Sequence, residues 1–335
     1  MERIARIVLP LAVSVLIAVP AVAQADPPPT PPAQRASGPG GLDYAYRGVS
    51  VTRYGEGAEG YWVFEPRGVD KTKPLPIVGF VHGLNATSYG TSWLWIRHLV
   101  QKGNLVVYPQ YQEGLLLDPK RFTGRSADAI AEAIERFDGK QHALADKDRF
   151  AMVGHSLGGA IIANLAARHL HYGLPKPKAL MPVQPGDVRA ESGLGAFFPS
   201  LIEDHRTIPA GTLMLVIATE DDNIVGQGVA KAIYRAAERV GKDDKDYVLI
   251  GPDRHGRPTL PAGHLMAWAY IDSDGKARAN AYDYALWRWF DALTAAAFGE
   301  DEHRAIALGN TPEQRDLGKW SDGTPVRPPK VTDQP

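Results

Sequence analysis

The sequence predicts an α/β fold, with a mostly parallel central sheet covered by helices on both faces. Short apolar runs alternate with segments of helical spacing along most of the chain, the order that parallel strands and crossover helices impose. The hexapeptide Gly154-His155-Ser156-Leu157-Gly158-Gly159 falls between one such run, residues 150–153, and an apolar helical stretch, residues 160–167. A tight strand-to-helix turn of this kind belongs to that layered architecture. The length of 335 residues suits one large domain.

Residues 1–25 are set apart as an export signal. Arg3 and Arg6 precede an apolar run over residues 7–22, and small residues offer cleavage near Ala23 or Ala25. A single membrane anchor is the rival reading, because the run approaches spanning length. Pro10 and Pro20 and the small-residue end favour cleavage, after which no stable membrane span is expected. Residues 26–41, rich in Pro, Ala and Gly, read as an extended, disordered linker. The domain proper is expected over residues 42–300.

That domain opens with an antiparallel hairpin, residues 49–54 and 61–65, about a Gly-rich turn. Apolar runs at 76–81 and 105–108 read as buried strands, the first ending at His82-Gly83 and the second at Pro109. Residues 127–137 carry Ala127, Ile130, Ala131, Ile134 and Phe137 on one helical face. The strand before Ser156 and its helix follow, then strands at 179–183 and 213–218. A helix over 229–240 is expected to close at Gly241. Residues 247–250 form the last expected strand, and 282–298 a Trp-rich final helix. The tail, residues 301–335, carries no assignable role.

The chain has no cysteine, so its core alone must hold it and a lipoprotein anchor is excluded. The net charge of −1 becomes about −2 once Glu2, Arg3 and Arg6 are removed, and no basic block or stripe appears. A nucleic-acid partner therefore has no electrostatic support.

Ser156 is the candidate nucleophile. A serine held at such a turn has a strained backbone and an exposed hydroxyl, and the helix that follows aims its first amides at any anion formed beside it. Gly154 and Gly158 are expected because a side chain at either would meet the crossing strand and helix. Serine needs a base, and the base an orienting carboxylate, in the chain order Ser, acid, His. Glu220, Asp221 and Asp222 follow the strand at 213–218; Asp222 fits best, three before the apolar Val225, with Asp221 and Glu220 as alternatives. Two histidines follow the last strand. His264, between a flexible glycine and an apolar segment, is favoured over His255, which lies in a polar turn. Two backbone amides should form an oxyanion hole: Leu157, and Leu84 in the loop after residues 76–81, with Asn85 as the alternative. His82 reads as a structural hydrogen-bonder.

Other patterns are weaker. His169-Leu170-His171 lacks further ligands for a metal and reads as a helix end. Asp272-Ser273-Asp274-Gly275 opens like a calcium loop, but Lys276 and Ala277 break the pattern, leaving a turn. Residues 186–210, with Phe197-Phe198-Pro199, interrupt the alternation where a lid is commonly inserted.

His82-Gly83-Leu84 together with the Gly154–Gly159 hexapeptide resembles the α/β-hydrolase superfamily, on its dienelactone hydrolase, polyester hydrolase and platelet-activating-factor acetylhydrolase side. The resemblance covers nearly all of residues 49–298. It implies that the residue after His-Gly, here Leu84, gives an oxyanion amide. The absence of cysteine departs from disulfide-stabilised cutinases and polyester hydrolases. The expectation is an exported serine hydrolase acting on small-molecule or lipid-like carboxylic esters, without metal or organic cofactor. A lipase using residues 186–210 as a lid, a peptidase or amidase, and a non-catalytic binding protein that keeps the fold are the rivals.

Overall fold

The computed structural model describes residues 26–114, 118–188, 200, 202–268, 270–271, 274 and 276–335. The expected export signal lies outside the described residues. The hairpin of β1 (Val49–Tyr54) and β2 (Tyr61–Pro66) leads into β3 (Leu75–Val81), α1 (Trp93–Gln101), β4 (Leu105–Pro109) and α2 (Pro119–Arg136). Next come β5 (Ala145–His155), α3 (Leu157–Ala167), β6 (Ala179–Val183), β7 (Leu213–Thr219), α4 (Gly228–Ala236) and β8 (Lys245–Ile250). A small antiparallel pair, β9 (Tyr270–Ile271) and β10 (Ala277–Arg278), precedes α5 (Ala281–Ala297). Two short helices, α6 (Arg304–Ala307) and α7 (Pro312–Arg315), and a last strand, β11 (Lys330–Thr332), complete the chain.

The main sheet runs β1-β2-β4-β3-β5-β6-β7-β8-β11. Its six central strands are parallel, while β1, β2 and β11 are antiparallel to their neighbours. Alternate residues feed two cores because side chains of a strand point to opposite faces. Ile77, Phe150, Met152 and Val216 enter one core with the buried residues of α2, α3 and α4. Val78, Ala151, Val153 and Leu215 enter the other with those of α1 and α5. The chain moves outward from β3 to β4, then crosses back to β5 and continues the opposite way. The order of strands thus reverses between β3 and β5, and crevices beyond the strand ends at such a switch are where ligands bind.

Four expectations need correction. The helix placed over 229–240 ends at Ala236, and Gly241 has an extended backbone (φ −54°, ψ 150°) that starts a short turn. Its last carbonyls are capped instead by the Lys245 ammonium, which donates to Tyr234 O (3.1 Å) and Ala237 O (2.7 Å). β8 is not the last strand, because β11 in the tail pairs along it. α1 was absent from the sequence reading; its buried Trp95, Ile96, His98, Leu99 and Val100 leave little polar face to mark a period. The Pro-rich stretch at 26–41 carries no helix or strand, yet it is fastened to the domain rather than disordered. Pro29 O accepts from Arg257 N (2.8 Å), Thr30 O from Ser321 N (3.0 Å), and Gly40 N donates to the Asp291 carboxylate (2.8 Å).

Candidate active site

The site is assembled from the carboxyl ends of β3, β5, β6, β7 and β8. Ser156 stands between β5 and α3 with φ 58° and ψ −125°, a conformation that costs a non-glycine residue on the order of 1–3 kcal/mol. The turn around it is tight enough to require its glycines. A Cβ on Gly154 would stand 2.4 Å from Gly158 O, and one on Gly158 would stand 2.0 Å from Val81 O. The strained backbone is held by Ser156 N donating to Val183 O (3.0 Å), and by Ser156 O accepting from Gly159 N (2.9 Å) and Gly186 N (3.0 Å).

The Ser156 hydroxyl lies 2.8 Å from His264 Nε2, and His264 Nδ1 lies 2.8 Å from Asp222 Oδ2. A carboxylate only accepts, so Nδ1 donates to it and Nε2 is left to accept from the serine. The other carboxylate oxygen, Asp222 Oδ1, accepts from the amides of Ile224 and Val225, both at 3.0 Å. Burial pushes the Asp222 carboxyl up, but the His264 hydrogen bond and those two amides outweigh it and hold the group below the usual range.

The competing residues face elsewhere. Asp221 turns to Arg254 (3.5 Å), and Glu220 pairs with Arg327 and Lys330, each at 3.0 Å. His255 Nε2 donates to the Asp322 carboxylate (2.7 Å) beside Trp320, in contact with the tail and not with Ser156. His82 is stacked on Tyr111 and Tyr108, with its nitrogens against Gly83 O (2.6 Å) and Gln110 O (3.0 Å). Burial pushes its pKa down to about 4.

Leu157 opens α3, so its amide is among the first-turn donors that have no intrahelical acceptor. The loop after β3 passes beside the nucleophile, since a Cβ on Gly83 would stand 2.9 Å from Ser156 Cβ. Leu84 follows directly. Asn85 takes φ 60°, and the turn is pinned by Ala86 N donating to Gly83 O (3.2 Å) and Tyr108 Oη donating to Ala86 O (2.6 Å).

Three side chains at the site were not singled out from sequence. Gln184, fully buried at φ 45° just after β6, points Nε2 at Thr219 Oγ1 (2.7 Å), Gly263 O (3.0 Å) and Asp222 Oδ2 (3.2 Å). It ties the acid loop to the residue preceding the base. His155 Nδ1 accepts from the Trp268 indole (3.1 Å), so its Nε2 carries the proton and donates to His264 O (2.8 Å). Burial, with the neighbouring His264, lowers the His155 pKa to about 3 and keeps it neutral in that tautomer. A polar residue immediately beyond a buried strand is the signal that would have found Gln184.

The centre of the expected lid, residues 189–199 and 201, lies outside the described residues, as do 272, 273 and 275 of the calcium-like turn. What flanks the former is anchored: Ser200 Oγ donates to Asp187 (2.7 Å), and the His205 ring meets Asn164 Oδ1 at 2.8 Å. His169 follows α3 and its Nδ1 lies 3.1 Å from Ala166 O. Among the described residues no three His, Asp or Glu side chains are grouped to hold a metal ion. No helix among them is long and apolar enough to cross a membrane.

No protein-family model matches the chain, and no curated protein matches it in sequence.

Proposed function

We propose that this protein is an exported serine hydrolase of the α/β-hydrolase type that cleaves carboxylic esters. The observation that carries the reading is the hydrogen-bonded chain Ser156–His264–Asp222 at a strained strand-to-helix turn. In the first half-reaction His264 Nε2 takes the Ser156 proton as Oγ bonds to the ester carbonyl carbon. Asp222 keeps the imidazole in the accepting tautomer and stabilises the imidazolium. The Leu84 and Leu157 amides receive the oxyanion. When the carbon–oxygen bond to the alcohol breaks, His264 returns the proton to that oxygen and the acyl group stays on Ser156. Water then repeats the sequence, its proton passing through His264 back to Ser156 while the carboxylic acid departs. Export rests on the charged, apolar and small-residue order of residues 1–25.

A fluorophosphonate probe tests the nucleophile. Labelling of the purified protein that vanishes in Ser156→Ala is the expected result; no labelling, or equal labelling of the variant, rejects the mechanism.

A further inference from the structure

Beside the proposed triad lies a cleft of about 580 Å³, with His264 itself in its wall. Ile224, Pro258, Pro261, Leu265, Met266 and Trp268 supply its apolar lining. Ile224 and Leu265 are respectively 49 % and 53 % exposed, two of the few large apolar side chains left in solvent among the described residues. Asp221 and His264 are the lining side chains that can carry charge, and Asp221 is turned toward Arg254 at 3.5 Å. Among the described residues no cation lines the cleft to receive an anionic group.

Position says which part of an ester would occupy it. Along the sheet the order of strands is β3, β5, β6, β7, β8. The Leu84 loop stands on the β3 side of Ser156, and the cleft stands on the far side, built from the loops after β7 and β8. An ester bound for attack by Ser156 with its carbonyl oxygen toward Leu84 and Leu157 turns its other oxygen toward His264 Nε2. That oxygen must reach Nε2, because it takes the proton when it leaves. The group attached to it then continues past His264 into the cleft.

We infer that the cleft is the leaving-group site, and that the preferred substrates are esters of a bulky, uncharged, apolar alcohol. This rests on the hydrolase reading above and adds to it the side on which specificity is exercised. Each methylene that leaves water for such a site favours the transition state by about fourfold when burial is complete, so the effect accumulates along a chain. Ile224 and Leu265 are the residues that set it.

Two ester series separate the sides. Acetates of methanol, butanol, hexanol and benzyl alcohol vary the leaving group alone; methyl esters of acetic, butyric and hexanoic acid vary the acyl group alone. The expected result is kcat/KM rising at least tenfold from methyl to hexyl acetate and less steeply in the acyl series. In Leu265→Asn and in Ile224→Asn, the hexyl-to-methyl ratio taken within each variant falls at least threefold, a readout in which any general loss of activity cancels. A gain confined to the acyl series, or a ratio that both variants leave unchanged, overturns the assignment. Fluorophosphonate labelling of Ser156 and turnover of methyl acetate are read on the same preparation. If both are present while the alcohol series is flat, the leaving-group site fails and the hydrolase stands; if both are absent, the hydrolase reading fails and takes this inference with it.

Discussion

Among the hydroxyl–histidine–carboxylate chains built into the described residues, of which a third joins Tyr44, His98 and Asp291, two differ in almost everything but their hydrogen bonds. Ser156, His264 and Asp222 meet at the carboxyl ends of the central strands. Tyr54, His142 and Glu65 meet at the hairpin edge: Tyr54 Oη and His142 Nε2 are 2.5 Å apart, and His142 Nδ1 and Glu65 Oε2 are 2.5 Å apart. Glu65 also accepts from Ala143 N (2.6 Å), so this carboxylate too is held by an amide. What the second chain lacks is a setting. Tyr54 lies in a regular strand, with the Arg136 guanidinium over its ring at 4.0 Å and no helix opening beside it. Its network fastens the loop before β5 to the hairpin. A relay of hydrogen bonds is thus a common way of satisfying buried polar groups. The strained serine, the helix amides and the open cleft are what make one of the two a candidate catalyst.

Matched substitutions test that distinction, beginning with the largest effect. Asp222→Asn should lower kcat for ester hydrolysis by roughly 10⁴, through loss of the productive tautomer, with the fold intact. Glu65→Gln should do the reverse, leaving turnover per folded molecule unchanged while lowering unfolding free energy by about 1–3 kcal/mol in urea titration. A comparable fall in kcat in both variants would erase the contrast. Next in size, Gln184→Leu should reduce kcat roughly tenfold with KM little changed, since it acts on the reaction only by holding Asp222 against Gly263. Equal loss of kcat and thermal stability, with kcat recovered at low temperature, would instead make Gln184 a packing residue.

Acid should destabilise the site side of the fold. His82, His155 and His205 are held neutral by burial at pKa values of about 4, 3 and 4, below the ordinary value of 6.5. Between those values and 6.5 the unfolded chain binds more protons, so their contribution is complete above about pH 6.5 and is lost as the pH falls toward 4. Unfolding free energies from urea titrations between pH 7 and 4 should decline by a few kcal/mol in total, and His205→Gln should flatten the slope. A profile unchanged by that substitution would remove His205 from the account. The smallest effects belong to the outlying candidates. Glu220→Gln and His255→Gln should leave ester turnover within about twofold and stability within about 1 kcal/mol, because their ion pairs are solvent-exposed.

The legible parts of the chain were those whose burial leaves a simple pattern. Parallel strands covered on both faces read as continuous apolar runs, so β6 and β7 stand out in the sequence almost to the residue. Sequence favoured Asp222 over Asp221 and Glu220 only through its spacing from Val225, a thin margin among three carboxylates in a row. Their separation comes from distant partners, Arg327, Lys330 and Arg254 on one side and His264 on the other. β11 is three residues long and follows Pro328 and Pro329, so no local signal announces it. The stretch at 26–41 failed for a related reason. Its composition speaks of irregular backbone, and irregular it is. Whether such backbone floats or docks depends on hydrogen-bonding partners hundreds of positions away, at Asp291, Arg257 and Ser321.

That last contact, Ser321 N to Thr30 O across 3.0 Å, brings two points 291 residues apart in the chain side by side. Between them the polypeptide is close to a closed ring. A Gly-Ser bridge long enough to reach from Pro335, which lies against Arg235, back to Asp26 could join the described ends, and new termini could be opened at the exposed Gly68 turn, whose side-chain direction meets no neighbour. The order in which the strands are written could then be rotated without moving Ser156, Asp222 or His264 in space.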